Sequence, residues 1–244
     1  MIKKLLIKIW LYFKYPNKLR EDIIKWLTRG KAKKLGLHTF PPNYIYLDIF
    51  NNNSNVIDIG CGFNAEFSCH LIEKYGLSAF GVDPTRKHKV FLQKIESKYN
   101  GNFKHVEVAV SKSNAELTFY ETQENESGSL LTDHQNILHD TVVSYPVVSK
   151  NIQSLLADLS VSHADLLKID IEGAEYELLE NFTPETFQNV GQIFIEFHHH
   201  AFKKYHRKHT RRIVKRIKQS GFSSFTRDGN NYLFFLPELM HKQF

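Results

Sequence analysis

Cysteine is nearly missing from these 244 residues: there are two, Cys61 and Cys69, in one short segment. That usage excludes a disulfide scaffold and reads as a reduced, intracellular chain. Seven prolines and 12 glycines exclude collagenous or low-complexity structure. No apolar run reaches the ~18 residues of a membrane span, because Lys8 interrupts the N-terminal one. The same interruption, with no small-residue cleavage site after it, argues against a secretory signal. The 42% of hydrophobic residues present are enough for a folded domain with one large core, needing no structural metal.

The net charge of +6 is unevenly placed. Residues 1–40 carry a net +9, residues 41–202 a net −12 and residues 203–244 again +9. An acidic body between basic ends disfavours a nucleic-acid surface, unless folding joins the ends into one patch. Within residues 1–40, Ile2, Leu5, Leu6, Ile9 and Phe13 share a helical face, with Trp10, Tyr12 and Trp26 as candidate anchors. Two readings stand: a basic amphipathic helix on an anionic membrane face, or a helix packed on the core with its lysines in solvent. Residues 41–244 are expected to form the main domain.

From Pro41 onward short apolar runs alternate with helical stretches. Strands are expected at Val56–Ile59, Ala79–Val82, Val106–Val110, Leu166–Ile169 and Ile193–Phe197, with helices near Phe67–Tyr75 and His88–Tyr99. Such spacing requires crossovers, hence an α/β chain with a mostly parallel sheet and helices on both faces. Ser224–Arg227 and Tyr232–Leu236 flank Asp228, Gly229, Asn230 and Asn231, which is a hairpin signal. The stretch at about 111–150, with strand-like Glu116–Tyr120 and Thr141–Val148, is expected to be an insertion on the substrate side of the sheet.

The most informative motif is VIDIGCG, Val56 to Gly62. A strand running into Gly60 and Gly62 lets a ligand approach the backbone, and Asp83, about 20 residues on, can accept both hydroxyls of a ribose. A diphosphate would call for a third glycine where Ala65 stands, so S-adenosylmethionine is favoured over NAD. Asn64 in this turn tolerates a positive φ better than most residues.

In order, the blocks VIDIGCGFNAEFS, AFGVDPTRKH, HVEVAVS, GSLL, LLKIDIEGAEYELLENF and QIFIEFH resemble the FkbM-type S-adenosylmethionine-dependent methyltransferases over about residues 55–200. The resemblance implies a Rossmann-like class I methyltransferase fold, with a seven-stranded sheet ending in the antiparallel hairpin. It also implies O-methylation of a sugar hydroxyl in a glycan, lipopolysaccharide or related glycoconjugate. The chain departs from the family's GANxG-like turn at Gly60-Cys61-Gly62-Phe63-Asn64. Cofactor contacts are expected from Asp58, Gly60, Cys61, Gly62, Asn64, Asp83, Pro84, Glu107, Ala109 and Asp170.

Methyl transfer to an alcohol needs alignment and removal of a proton. Asp170 and Lys168 at the end of the fourth strand, and Glu196 and His198 at the end of the fifth, converge on the cofactor crevice. Either His198, or a carboxylate of raised pKa, is the general base, with Glu196 orienting the imidazole, or Asp170, Glu196 and His198 hold a divalent metal; the first is preferred. Lys168 reads best as an internal ion pair with Asp170 or Asp58. Glu172 and Glu175 favour a helix start, Glu172 being also a substrate or catalytic contact through the resemblance. His206 and His209 lie in a basic helix whose apolar face is marked by Phe202, Tyr205, Ile213 and Ile217. The expected setting is cytoplasmic, peripheral at the inner membrane face, on a glycan or lipid-linked sugar. An RNA methyltransferase and a non-catalytic cofactor-binding partner protein remain the alternatives.

Overall fold

The computed structural model describes Thr28, residues 30–180 and residues 182–243. The amphipathic stretch from Ile2 to Trp26 lies outside them. No described helix is long and apolar enough to cross a membrane.

The strands are β1 (Leu37–Phe40), β2 (Tyr44–Leu47), β3 (Asn55–Ile59), β4 (Ser78–Val82), β5 (Phe103–Val106), β6 (Ala109–Val110), β7 (Ala115–Thr122), β8 (Gly128–Ser129), β9 (Val142–Lys150), β10 (Ala164–Ile169), β11 (Val190–Glu196), β12 (Ser223–Thr226) and β13 (Asn231–Phe235). The helices are α1 (Glu66–Tyr75), α2 (Lys89–Tyr99), α3 (Gln135–Leu138), α4 (Ile152–Asp158), α5 (Glu175–Leu179) and α6 (Arg207–Gln219). The main sheet has seven strands in the order β12-β13-β11-β10-β3-β4-β5. Its five strands from β11 to β5 are parallel, and β13 runs antiparallel to both β11 and β12.

The central strands are apolar on both faces because both faces are covered. Ile57, Ile59, Leu167, Ile169, Ile193 and Ile195 face α4, α5 and α6 through Leu155, Leu179 and Ile213. Val56, Leu166 and Phe194 face the opposite way, onto Phe67 and Leu71 of α1 and Leu92 of α2. The β1-β2 hairpin covers the second of these faces beside β13, where Ile45 and Leu47 meet Leu233 and Phe235. Buried Gln192 fastens it there, its Oε1 accepting the Leu47 N–H at 2.6 Å and its Nε2 donating to the Leu47 carbonyl at 3.3 Å.

Three expectations are corrected. The third strand is Phe103–Val106, and Val106–Val110 is where the chain turns off the sheet, with Val108 N–H bonded back to the Val106 carbonyl. The boundary at residue 40 cuts through the β1-β2 hairpin, whose register pairs Phe40 with Tyr44. Phe202 and Tyr205 precede α6, whose buried side is Thr210, Ile213 and Ile217. The stretch at 111–150 supplies β7, β8 and β9, which with β6 form a second sheet in the order β6-β9-β7-β8.

Going from β3 to β4 and β5, the chain steps one way across the sheet, then returns to place β10 on the other side of β3. The carboxyl ends of β3 and β10 therefore form a topological switch point, where a crevice opens in this class of sheet.

Candidate active site

The turn after β3 is built for close approach. Gly60 has φ +74°, and a Cβ there would lie 1.7 Å from the Asp170 carbonyl oxygen, so no larger residue fits. Gly62, at φ +69°, donates its N–H to Asp83 Oδ2 at 3.0 Å. Asp83 Oδ1 accepts the Thr85 N–H at 2.9 Å, and His88 Nδ1 stands 3.3 Å from Oδ2. Burial works to raise the Asp83 carboxyl, but the bonds from His88 and Thr85 prevail and hold it below its ordinary range. Asp83 is thus a fixed anion: Oδ2 already meets two donors, and Oδ1 keeps a lone pair for a further one.

A cavity of about 430 Å³ runs from this turn to the end of β10. Gly60, Cys61, Gly62 and Asn64 line one side, Asp83, Pro84 and Ala109 another, and Asp170 and Glu172 the far end. A backbone cradle, a fixed carboxylate and apolar walls at Val82 and Val108 suit a nucleoside. Burial pushes the Cys61 thiol well up, which keeps it a packed, neutral group.

Two expected cofactor contacts are not in this cavity. Asp58 is buried beneath the turn, where it accepts from Ser68 Oγ at 2.7 Å and pairs with Lys168 at 2.9 Å. Glu107 follows the true end of β5 and faces outward, paired with Lys89 at 2.6 Å. The left-handed residue is Ala65 (φ 41°), not Asn64, whose Oδ1 accepts the Glu66 N–H at 3.2 Å.

Lys168, 1% exposed, donates to the Gly60 carbonyl at 2.7 Å and lies 3.5 Å from Asp170 Oδ2. Burial alone would lower its ammonium, but Asp58 and Asp170 hold it well above its usual value. It is a charged tie between the ends of β3 and β10.

Asp170, Glu196 and His198 converge, with one ligand-type atom from each all within 4.8 Å of one another. Burial raises the Asp170 carboxyl. Burial, then the neighbouring Asp170, pushes Glu196 up to about 7. His198 differs from expectation. Its Nδ1 donates to Glu175 Oε1 at 3.2 Å, and the same oxygen accepts the His198 backbone N–H at 2.8 Å. Burial would lower this imidazole, but Glu175, Asp170 and Glu172 overcome that and push it up to about 10. A histidine holding its proton at neutral pH does not take another, which leaves the raised carboxyls of Asp170 and Glu196 as the candidate bases. Its orienting partner is Glu175, not Glu196.

Four residues have roles here that the sequence did not assign to them. Glu175 is fully buried, and its second oxygen accepts the Gly173 N–H at 2.8 Å, tying the loop after β10 to the end of β11. Gly173 is obligatory there, since a Cβ would lie 2.1 Å from the Phe202 ring. Ser129, from the insertion, donates to the Glu172 carbonyl at 2.9 Å, steadying a residue at φ 50°. His134 accepts the Asn136 N–H on Nδ1, which leaves the hydrogen on Nε2, 2.9 Å from Glu172 Oε2. Burial would raise Glu172, but His134 and His198 hold it low. The EGAE spacing carried a signal for Glu175; nothing in the sequence ties His134 to a residue 38 positions away.

His199 and His200 do not join the cluster of ligand atoms. His199 Nδ1 lies 3.0 Å from Thr210 Oγ1, and burial lowers its pKa to about 4. His206 and His209 cap the start of α6.

The family model of the methyltransferase FkbM domain matches residues 38–224. No curated protein matches the chain. Among solved structures, M. capricolum TrmK in complex with S-adenosyl-homocysteine is 13% identical over 77% of this chain, with a TM-score of 0.40. This chain spans 62% of the length of that one. The Methanococcus jannaschii fibrillarin pre-rRNA processing protein is 12% identical, covering 83% of this chain and 70% of that one, with a TM-score of 0.45. The N-terminal domain of human METTL16 is 12% identical, covering 75% and 61%, with a TM-score of 0.42.

Proposed function

Because the chain belongs to the FkbM methyltransferase family, we propose that it transfers the methyl group of S-adenosylmethionine to a hydroxyl of a sugar in a glycan or lipid-linked glycoconjugate. The observation that carries this reading is the single cavity joining the Gly60–Gly62 turn and Asp83 to the acidic end at Asp170 and Glu172.

The cofactor supplies a methyl group on a positively charged sulfur, which departs as a neutral thioether. Asp83 holds the ribose hydroxyls, and the Gly60 and Gly62 backbone shapes the turn beside them. Asp170 and Glu172 fix the acceptor hydroxyl at the other end of the cavity, where the oxygen must lie in line with the methyl group. The hydroxyl proton goes to one of the carboxylates at this end, Asp170, Glu172 or Glu196, while the new C–O bond forms. Ser127 and Ser129, from the insertion, line the same end and offer hydroxyls to a polyol.

The acidity of this end also weighs against an RNA acceptor. Asp170, Glu172 and Glu196 repel a phosphate backbone, whereas a sugar hydroxyl brings no charge to the site. We place the reaction at the cytoplasmic membrane face, where the basic segment at 1–40 and the cationic side of α6 meet anionic lipid.

The test is methyl-labelled cofactor supplied with purified glycans, lipid-linked sugars and RNA. Label in a sugar fraction, released as an O-methyl sugar on hydrolysis, is the expected result. Label confined to RNA would overturn the sugar assignment.

A further inference from the structure

We propose that Asp170, Glu196 and His198 form a binding site for one first-row divalent cation, at the ends of β10 and β11 beside the methyl-transfer cavity. This deepens the methyl-transfer reading by naming an ion that the acceptor end would hold, and its binding can be measured without any acceptor.

Donor geometry is the first support. Glu196 and His198 are two residues apart at the end of β11, and Asp170 ends the neighbouring parallel strand. Ligand atoms around an ion at ~2.1 Å stand about 3 to 4 Å from one another. The three candidate atoms are within 4.8 Å of each other, so rotamer adjustments of about an ångström would close the shell.

The state of His198 is an independent second support. Its side chain is 7% exposed, and its Nε2 makes no hydrogen bond among the described residues. That nitrogen lies at ion-pair distance from Asp170 Oδ1 (3.6 Å) and Glu172 Oε2 (3.7 Å), and a divalent ion bound there would displace the Nε2 proton. Its other nitrogen is held by fully buried Glu175 at 3.2 Å. A carboxylate fixing one imidazole nitrogen while the other faces an acidic pocket is the arrangement that orients a metal-ligating histidine.

Charge is the third. Glu196 has no hydrogen bond or ion pair with any described residue. The neighbouring cation, Lys168, is bound to the Gly60 carbonyl and Asp58. With His198 facing Asp170 and Glu172, the Glu196 carboxylate is the one left for another cation to meet. One imidazole and two carboxylates suit Mn²⁺ or Zn²⁺ better than Ca²⁺ or Mg²⁺, which favour all-oxygen shells. Because Asp170 also lines the cavity, an ion here would lower the proton affinity of an acceptor hydroxyl.

The full chain, stripped with chelator, is titrated with MnCl2 and separately with ZnCl2, by calorimetry and, for manganese, by the loss of its free-ion electron-spin signal. One equivalent is expected to bind saturably. His198→Ala and Glu196→Gln should each weaken binding at least tenfold. Glu175→Gln, which removes the charge beside Nδ1 and touches none of the three ligands' donor atoms, should weaken it about tenfold. Glu107→Gln, on the outer surface, should change nothing. S-adenosylmethionine affinity and circular dichroism are recorded on the same samples. A natively folded chain with no saturable Mn²⁺ or Zn²⁺ binding overturns the ion site, as does an unweakened His198→Ala variant. Loss of S-adenosylmethionine binding with the ion retained would instead count against the methyltransferase reading.

Discussion

Gly60 and Gly62 share a motif and a positive φ, yet their surroundings separate them. Gly60→Ala drives a methyl group into the Asp170 carbonyl and should cost about 2 to 4 kcal/mol from overpacking plus left-handed strain. Gly62→Ala meets nothing within 4 Å and should cost only about 1 kcal/mol of left-handed strain. Urea denaturation of both variants measures the difference, and equal destabilisation would contradict the close approach of β3 to β10. The spacing of Gly60, Gly62, Asp83 and Asp170 was legible because each sits at a strand end, where a motif fixes position. The function of His198 was not, since it depends on Glu175, which lies 23 residues earlier and meets it only through folding. Asp58 and Glu107 were misplaced for a related reason: one is drawn under the turn by Lys168, the other displaced by a strand ending at Val106.

At the scale of elements, continuous apolar runs made β3, β10 and β11 readable, as expected for strands covered on both faces. β5 was harder, because Phe103-Lys-His-Val106 carries two polar residues at the sheet edge. The β1-β2 hairpin was hidden because its anchor, Gln192, is a polar residue in the middle of an apolar strand. Gln192→Leu should strip both Leu47 backbone groups of their partners and cost about 2 to 4 kcal/mol. Denaturant titration checks this, and a change below ~0.5 kcal/mol would mean that apolar contacts alone hold the hairpin. α6 presents Arg207, Lys208, Arg211, Arg212, Lys215 and Lys218 to solvent while Ile213 and Ile217 pack inward. Replacing Arg211, Arg212 and Lys215 together by Glu should weaken binding to phosphatidylserine-containing vesicles at least tenfold at low salt, with the difference shrinking at high salt. Equal binding of the triple variant in a vesicle-sedimentation assay would remove α6 from the membrane-facing side.

For the whole molecule, one topological decision accounts for the site: the return of the chain to set β10 beside β3. It brings Asp170 against Gly60, lets Lys168 bind both strand ends, and opens the cavity that Ser127 and Ser129 of the insertion line. Strand order of this kind follows from the alternation of strands and helices, which is why the fold was readable. The fit of the insertion over the cavity depends on tertiary contacts such as Ser129 to Glu172, which no local pattern encodes. The account rests on the cavity holding S-adenosylmethionine against Asp83. Calorimetric titration of the full chain with S-adenosylmethionine and S-adenosylhomocysteine, with NAD as control and Asp83→Asn alongside, tests that most directly. Micromolar binding of the first two, none of NAD, and at least a tenfold loss in a natively folded Asp83→Asn are predicted. No binding by the folded chain, or undiminished binding by Asp83→Asn, would contradict it.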